Sequence, residues 1–361
     1  MVLAVLRRIH RWLGLLLAVP LLIQGVSGAI LALAPLLPDL AAMEATKGES
    51  RSASAIIAAA QADVPAGVRP ARYIPAASPG ETALVWFVDR AAPRGRGFGV
   101  RIDPVSLATL DRQDGSGVID WIKALHTNLL TEDRSGRSII GWVGVGLLAL
   151  VVVGVVLWWP PPERWREAFT IDPRATGHAF HRRLHGAFGI WSLALLLATA
   201  ATGVVLAFPQ TARGALGLTD PGPRRSVPRG DAPAVDVDQA IAAAMGATHG
   251  LRLRAVLLPA GGSDPVRVLL VPPGADGVAA TVTVAVDADG RVVSMQDPRA
   301  MSSSELALRW VHDLHFGQGF GPVWRGLTIA TGLVLPTFAI TGGAMWLFRQ
   351  RRRASSLQPG D

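Results

Sequence analysis

The 361-residue sequence contains no cysteine, which excludes disulfides, iron–sulfur clusters and thiolate chemistry. Nothing in it resembles a GxGxxG dinucleotide fingerprint or a flavin site, so the chain offers no place of its own for a hydride carrier. The two long polar segments hold no Ser/His/Asp arrangement and no cluster of metal ligands; His249 stands alone there. The apolar runs lack carboxylates or basic residues that could couple ions to a solute, which weighs against a transporter.

Long hydrophobic runs are what the chain has instead. Half of its residues are hydrophobic and the mean hydropathy is +0.35, and four uncharged runs cover 12–37, 138–159, 186–208 and 326–348. Each can cross a hydrocarbon core, which takes about 20 apolar residues. The first follows a basic start like that of a signal peptide, but it far exceeds an h-region of roughly 7–15 residues and reads as a retained anchor. The net charge of +8 sits in three short segments: +3 in 1–11, +2 in 160–185 and +3 in 349–361, where Arg349, Arg351, Arg352 and Arg353 outweigh Asp361. The two long connections therefore sum to about zero. The basicity marks a cytoplasmic face and gives no sign of a nucleic-acid partner.

The chain also repeats itself. Arg8, His10, Gly14 and Gly28 recur as Arg183, His185, Gly189 and Gly203 at an offset of 175; Trp121 and His126 recur as Trp310 and His315 at 189; Arg137, Gly154 and Trp158 recur as Arg325, Gly342 and Trp346 at 188. A two-fold internal duplication of this kind predicts a membrane protein with an all-α four-helix transmembrane core. The order is a cytoplasmic start and first helix (1–37), a first extracytoplasmic module with an interfacial segment (38–137), helix 2 (138–159), a cytoplasmic linker (160–185), helix 3 (186–208), a second module and interfacial segment (209–325), helix 4 (326–348) and a cytoplasmic tail (349–361). Each module reads as small and α+β. The first has a helix near Ser54–Ala62 and strands at 71–74, 83–88 and 97–102; the second has a helix near 238–247, strands near 253–258, 266–271 and 280–286, and a turn at 287–290. Asp103 and Asp287 follow the last long strand of each. Ser27-Gly28, Thr202-Gly203 and Thr341-Gly342 read as small residues that let helices approach.

Four histidines fall at two depths. His10 and Gly28 are 18 residues apart, about 27 Å along a helix, so His10 and His185 lie at one face of the membrane and His126 and His315 at the other. Facing neutral imidazoles are the usual way for a helical bundle without cysteine to hold a b-type haem, which predicts two haems stacked across the bilayer. Arg8 and Arg183 beside the inner pair, and Arg137 and Arg325 beside the outer pair, are candidates to meet haem propionates. His181 and His185 lie four apart on one helical face, but no carboxylate completes a metal site. As axial ligands, His181 and His312 are less favoured than the repeated histidines, because their counterparts in the other half are Leu6 and Lys123.

RRIHRWLG, WIKALHTNLL followed by GRSIIGWVG, LWWP, HRRLHGAFGIW, and LHFGQGFG through ITGGAMW resemble the PepSY-associated transmembrane family of bacterial inner-membrane proteins. The resemblance covers nearly the whole chain and extends to both soluble modules, which resemble PepSY domains. It implies a haem-dependent membrane oxidoreductase similar to dihaem siderophore-iron reductases, with His10, His126, His185 and His315 as axial ligands and electrons passing outward to a ferric siderophore or similar ferric chelate. The donor would be a quinol, a reductase or a soluble reductant, and both termini would be cytoplasmic, with two periplasmic modules. The family leaves a second reading open, a non-enzymatic PepSY regulator of a peptidase or signalling partner.

Overall fold

The computed structural model describes residues 1–36, 44–65, 67–88, 97–113, 117–131, 133–218, 236–259 and 264–355. The end of the basic tail, 356–361, lies outside the described residues. In chain order the helices are α1 (Val2–Leu33), α2 (Ala53–Ala62), α3 (Val118–Asn128), α4 (Ser135–Trp158), α5 (Trp165–Ala168), α6 (Gly177–Trp191), α7 (Leu193–Ala207), α8 (Pro209–Ala215), α9 (Val237–Gly246), α10 (Ser303–Phe316) and α11 (Gly321–Ser355). The strands are β1 (Arg69–Ile74), β2 (Ala83–Val88), β3 (Gly97–Ile102), β4 (Thr109–Gln113), β5 (Arg252–Leu257), β6 (Val266–Val271), β7 (Val282–Val286) and β8 (Val292–Gln296). Contacts divide the chain into two compact units. One comprises Met1–Leu36, Trp121–Gly217 and Val311–Asp361, and the other Leu37–Asp120 and Leu218–Trp310.

The first unit is helical. Among the described residues α1, α4 and α11 are long and apolar enough to cross a membrane, and α6 with α7 makes a fourth if the bent pair counts as one span. Large apolar side chains such as Leu16, Trp142, Val323 and Ile340 point outward and stay exposed, as expected where lipid is the solvent. The run 186–208, read from sequence as helix 3, falls on α6 and α7, which are bent by 68°. The break falls at Ser192, between α6 and α7, where the hydroxyl donates to the Phe188 carbonyl at 2.6 Å. Helix α6 also starts at Gly177, so part of the 160–185 linker is helical and carries His185 at its centre.

Packing in this unit depends on bare backbone. A Cβ built on Gly25 of α1 would lie 2.5 Å from the Gly332 carbonyl oxygen of α11, and one on Gly332 would lie 2.7 Å from the Gly25 oxygen, so the two helices touch main chain to main chain. Between α3 and α4 the chain turns through Leu129 and Leu130 in left-handed conformations (φ 52° and 61°), whereas the turn from α10 into α11 uses Gly317, Gly319 and Gly321 with positive φ. A leucine in that region carries a strain of about 1–2 kcal/mol that glycine does not.

The second unit is one antiparallel sheet in the order β4-β3-β2-β1-β5-β6-β7-β8. Each half of the chain supplies four consecutive hairpin-linked strands, and the halves meet where β1 pairs with β5 (Tyr73 opposite Val256, Arg72 opposite Leu257). The segments read from sequence as two modules thus share one sheet and one core. Strands alternate as a half-covered sheet requires: Ala83, Val85 and Phe87 of β2 are fully buried, and they lie opposite Ile102, Val100 and Phe98 of β3. Helices α2 and α9 cover that face with small residues, Ala60, Ala240 and Ala244, beside Ile56. On the other face the Trp86 ring lies across Gly97 and Gly99, filling the gap that two glycines leave in β3. Asp103 and Asp287 organise turns. Asp103 is 4% exposed and accepts from Thr46 N and Oγ1, Val105 N and Ser106 N. Burial opposes its ionisation, but these hydrogen bonds outweigh burial and hold the carboxyl well below the usual carboxylate range. Asp287 caps the β7–β8 turn through Asp289 N and Arg291 N. Strands β4 and β8 extend the sheet beyond the strands read from sequence.

The α1–α11 contact gives a stability test. Gly332→Leu must push the helices apart and is expected to lower the thermal midpoint of the detergent-solubilised protein by several degrees. Gly326→Ala, where nothing lies within 4 Å of the added atom, should leave it unchanged or slightly raised.

Candidate functional site

The helical unit brings the four repeated histidines together in two pairs. His10 on α1 and His185 on α6 have ring centroids 6.2 Å apart with planes at 83°; His126 on α3 and His315 on α10 are 6.4 Å apart with planes at 43°. Each ring rests on a glycine of a neighbouring helix. A Cβ on Gly154 would lie 3.3 Å from Cε1 of His10, on Gly342 4.0 Å from that of His185, on Gly28 3.0 Å from that of His126 and on Gly203 3.1 Å from that of His315. At Gly154, Gly28 and Gly203 any larger residue would press on the ring and move it.

Next to three of these glycines stands a hydroxyl that fixes its histidine. His126 Nδ1 lies 2.8 Å from Ser27 Oγ, His315 Nδ1 lies 3.1 Å from Thr202 Oγ1 and 3.2 Å from the Thr199 carbonyl, and His185 Nδ1 lies 2.8 Å from Thr341 Oγ1. Each hydroxyl already donates its one proton four residues back along its own helix: Ser27 to Ile23 at 2.6 Å, Thr202 to Ala198 at 2.7 Å and Thr341 to Thr337 at 2.7 Å. It can only accept from the imidazole. Nδ1 therefore carries the hydrogen and Nε2 keeps its lone pair, the tautomer a metal ligand needs. The dipeptides Ser27-Gly28, Thr202-Gly203 and Thr341-Gly342, read from sequence as packing residues, are thus site residues. Their signal was the recurrence of a hydroxyl before glycine one helix away from a repeated histidine.

His126 and His315 lie outside the spanning helices. Burial pushes the His126 imidazole down to about 4, and the neighbouring His315 adds to the shift. Burial likewise lowers His315, against the opposing effect of the Thr199 carbonyl. Both are neutral at pH 7, the state that ligates a metal.

Around the inner pair the helices leave a cavity of about 770 Å³, walled by Leu147, Leu150, Trp158 and Phe338 and rimmed by Arg7, Arg11, Arg164, Arg182, Arg183 and Arg349. Of the arginines picked from sequence, Arg183 is on this rim and lies 3.7 Å from Asp172. Arg8 is exposed and absent from the lining, where Arg7 and Arg11 stand instead. Arg137 is exposed and donates to the Leu206 carbonyl at 2.6 Å; Arg325 donates to the Gly317 carbonyl at 3.4 Å. Of the other histidines, His178 lines the same cavity as the inner pair. His181 packs on Phe180 and Phe348, and His312 stacks on Phe316 at 4.2 Å and meets buried Asp313 at 3.3 Å. Among the described residues no group of three His, Cys, Asp or Glu side chains is arranged to hold a metal ion.

The haem that the sequence implies can be tested against this geometry. A metal–imidazole bond of about 2.0–2.1 Å on each side, with about 1.1 Å from nitrogen to ring centre, puts two opposed axial imidazole centroids about 6.3 Å apart. Both pairs match that spacing. The inner cavity joins apolar walls to a cationic rim, the environment that suits an apolar macrocycle carrying carboxylates. The residues around the inner pair fit the group; the outer pair matches it in ring spacing.

A family model for the PepSY-associated TM region matches residues 7–349. No curated protein matches the chain.

Removing a hydroxyl tests the site independently of any cofactor. Ser27→Ala removes the hydroxyl 2.8 Å from His126 Nδ1 and leaves the ring only the Gln24 backbone as acceptor, and is expected to destabilise the protein by about 1 kcal/mol. Thr202→Val should do less, because His315 keeps the Thr199 carbonyl. Chemical or thermal unfolding of the two variants side by side checks the order.

Proposed function

The chain belongs to the PepSY-associated TM region family, and from that premise we propose that it is a bacterial inner-membrane haem protein passing electrons outward to a ferric siderophore or similar ferric chelate. The observation that carries the reading is the state of the paired histidines. Three of the four have Nδ1 tied to a hydroxyl that can only accept, and both pairs have the spacing of opposed axial ligands. The parallel contacts in the two halves, histidine on glycine and imidazole on hydroxyl, support a four-helix core built from two copies of one unit.

Haem b, two per chain, supplies the one-electron carriers. The protein's residues do the rest. His10 with His185 and His126 with His315 hold the irons. Ser27, Thr202 and Thr341 orient the rings and strengthen them as donors through Nδ1. The arginines of the inner rim meet the propionates of the inner group, with Arg183 in the role read from sequence; Arg137 and Arg325 are the candidates at the outer level. The apolar walls keep water from the iron. A quinol, a reductase or a soluble reductant delivers the electrons, and His126 and His315, on segments that continue into the sheet-forming parts of the sequence, belong to the level where the chelate is reduced. The basic segments 1–11, 160–185 and 349–361 put both termini in the cytoplasm.

Two measurements decide these points. Purified protein is expected to hold two haems per chain. Alanine at His10 or His185 removes the same one, and alanine at His126 or His315 abolishes reoxidation of the dithionite-reduced protein by a ferric siderophore in stopped-flow absorbance. One haem per chain, or outer variants that reoxidise as fast as the parent, overturns the conduit. For topology, a C-terminal fluorescent fusion should be bright and the matching alkaline phosphatase fusion inactive; the opposite result reverses the direction of electron flow.

A further inference from the structure

The three hydroxyl anchors have no fourth. Position 153 stands to Gly154 as Thr341 stands to Gly342, in the same place before the glycine that bears the ring, but it is a valine. His10 Nδ1 is buried and makes no hydrogen bond within 3.5 Å; the backbone of Leu150 is the one acceptor that acts on the ring, and no hydroxyl does. The contrast lies within one pair, since His185, facing His10, is held by Thr341 at 2.8 Å.

We infer that Val153 leaves His10 the one unanchored histidine of the four, and so makes it the exchangeable ligand of the inner pair; the ligand part rests on the haem reading above. Two consequences follow from the missing bond. Nothing obliges Nδ1 to carry the hydrogen, so the ring samples both neutral tautomers, and only one of them presents a lone pair at Nε2. Without a hydroxyl acceptor behind it, the imidazole is also the weaker donor, because hydrogen bonding at the distal nitrogen raises ligand basicity. Of the two residues that would hold an inner iron, His10 would be the one to yield its place to a neutral two-electron donor such as carbon monoxide, with no change in electron count, while His185, held by Thr341, would stay. Val153 is a positioning residue, and threonine has the shape to replace it, with the carbonyl of Ala149 four residues back to take its proton.

The experiment has two arms. In haem-free protein in nanodiscs, solid-state nitrogen-15 spectra of labelled histidine, assigned by single His→Gln variants, should place His126, His185 and His315 in the Nδ1–H tautomer and His10 in a mixture. Val153→Thr should convert His10 to the Nδ1–H form, and Thr341→Val should release His185. In haem-loaded, dithionite-reduced protein, carbon monoxide should bind at one haem per chain, and Val153→Thr should weaken that binding about tenfold, equivalent to about 1.4 kcal/mol. A parent protein whose His10 is already a single Nδ1–H tautomer, or carbon monoxide binding that Val153→Thr leaves unchanged, overturns the inference. A protein that shows three fixed rings and one mixed, yet takes up no haem, supports the anchoring difference and overturns the electron-carrier reading.

Discussion

A hydroxyl has one proton to give, and in this protein each anchoring hydroxyl has given it to its own helix before a histidine arrives. That constraint orders the site. With the proton committed four residues back, the oxygen can only accept, the imidazole facing it can only donate through Nδ1, and Nε2 keeps its lone pair, in rings whose centroids lie 6.2–6.4 Å from those of their partners. The glycine after each hydroxyl then allows the ring to lie close against the helix. The geometry needed for a ligand is present in the protein itself, so a cofactor would meet rings already oriented rather than order them on binding.

Much of this was legible in the sequence. The apolar runs located α1, α4 and α11, the helices long and apolar enough to cross a membrane, and the paired offsets located the histidines that come together. Two features escaped. The hydroxyl–glycine dipeptides look the same whether they pack helices or anchor rings, and only a neighbouring element far away in sequence decides between those uses. The bend at Ser192 falls within a run whose hydropathy is uniform, so no change in composition marks it. In the sheet unit, the strands with apolar alternation were readable. Strands β4 and β8 were not: Thr109–Gln113 is polar, and β8 is exposed at every residue, so neither shows the pattern that burial of one face imprints.

The halves also differ where the sequence departs from its own repeat. Leucines occupy left-handed positions after His126, whereas glycines relieve the equivalent turn after His315, and valine replaces a hydroxyl residue at 153. These departures cluster around the paired rings. Local strain and missing partners persist only where surrounding packing enforces them, and the close main-chain contact of α1 with α11 gives the helical unit that rigidity.

The place where the two halves join has a further implication for descent. The sheet is continuous only through the antiparallel pairing of β1 with β5, and each histidine pair in the helical unit draws one member from each half. A polypeptide of half this length would own a four-stranded sheet with β1 at a bare edge, and at each level a single imidazole with nothing opposite it. It would satisfy both by associating head to head with an identical copy, strand edge to strand edge, around a two-fold axis. Fusion of two such genes would make that association permanent. It would also release the halves from identity, so that a valine could stand at 153 while a threonine stood at 341, a distinction no pair of identical subunits could maintain.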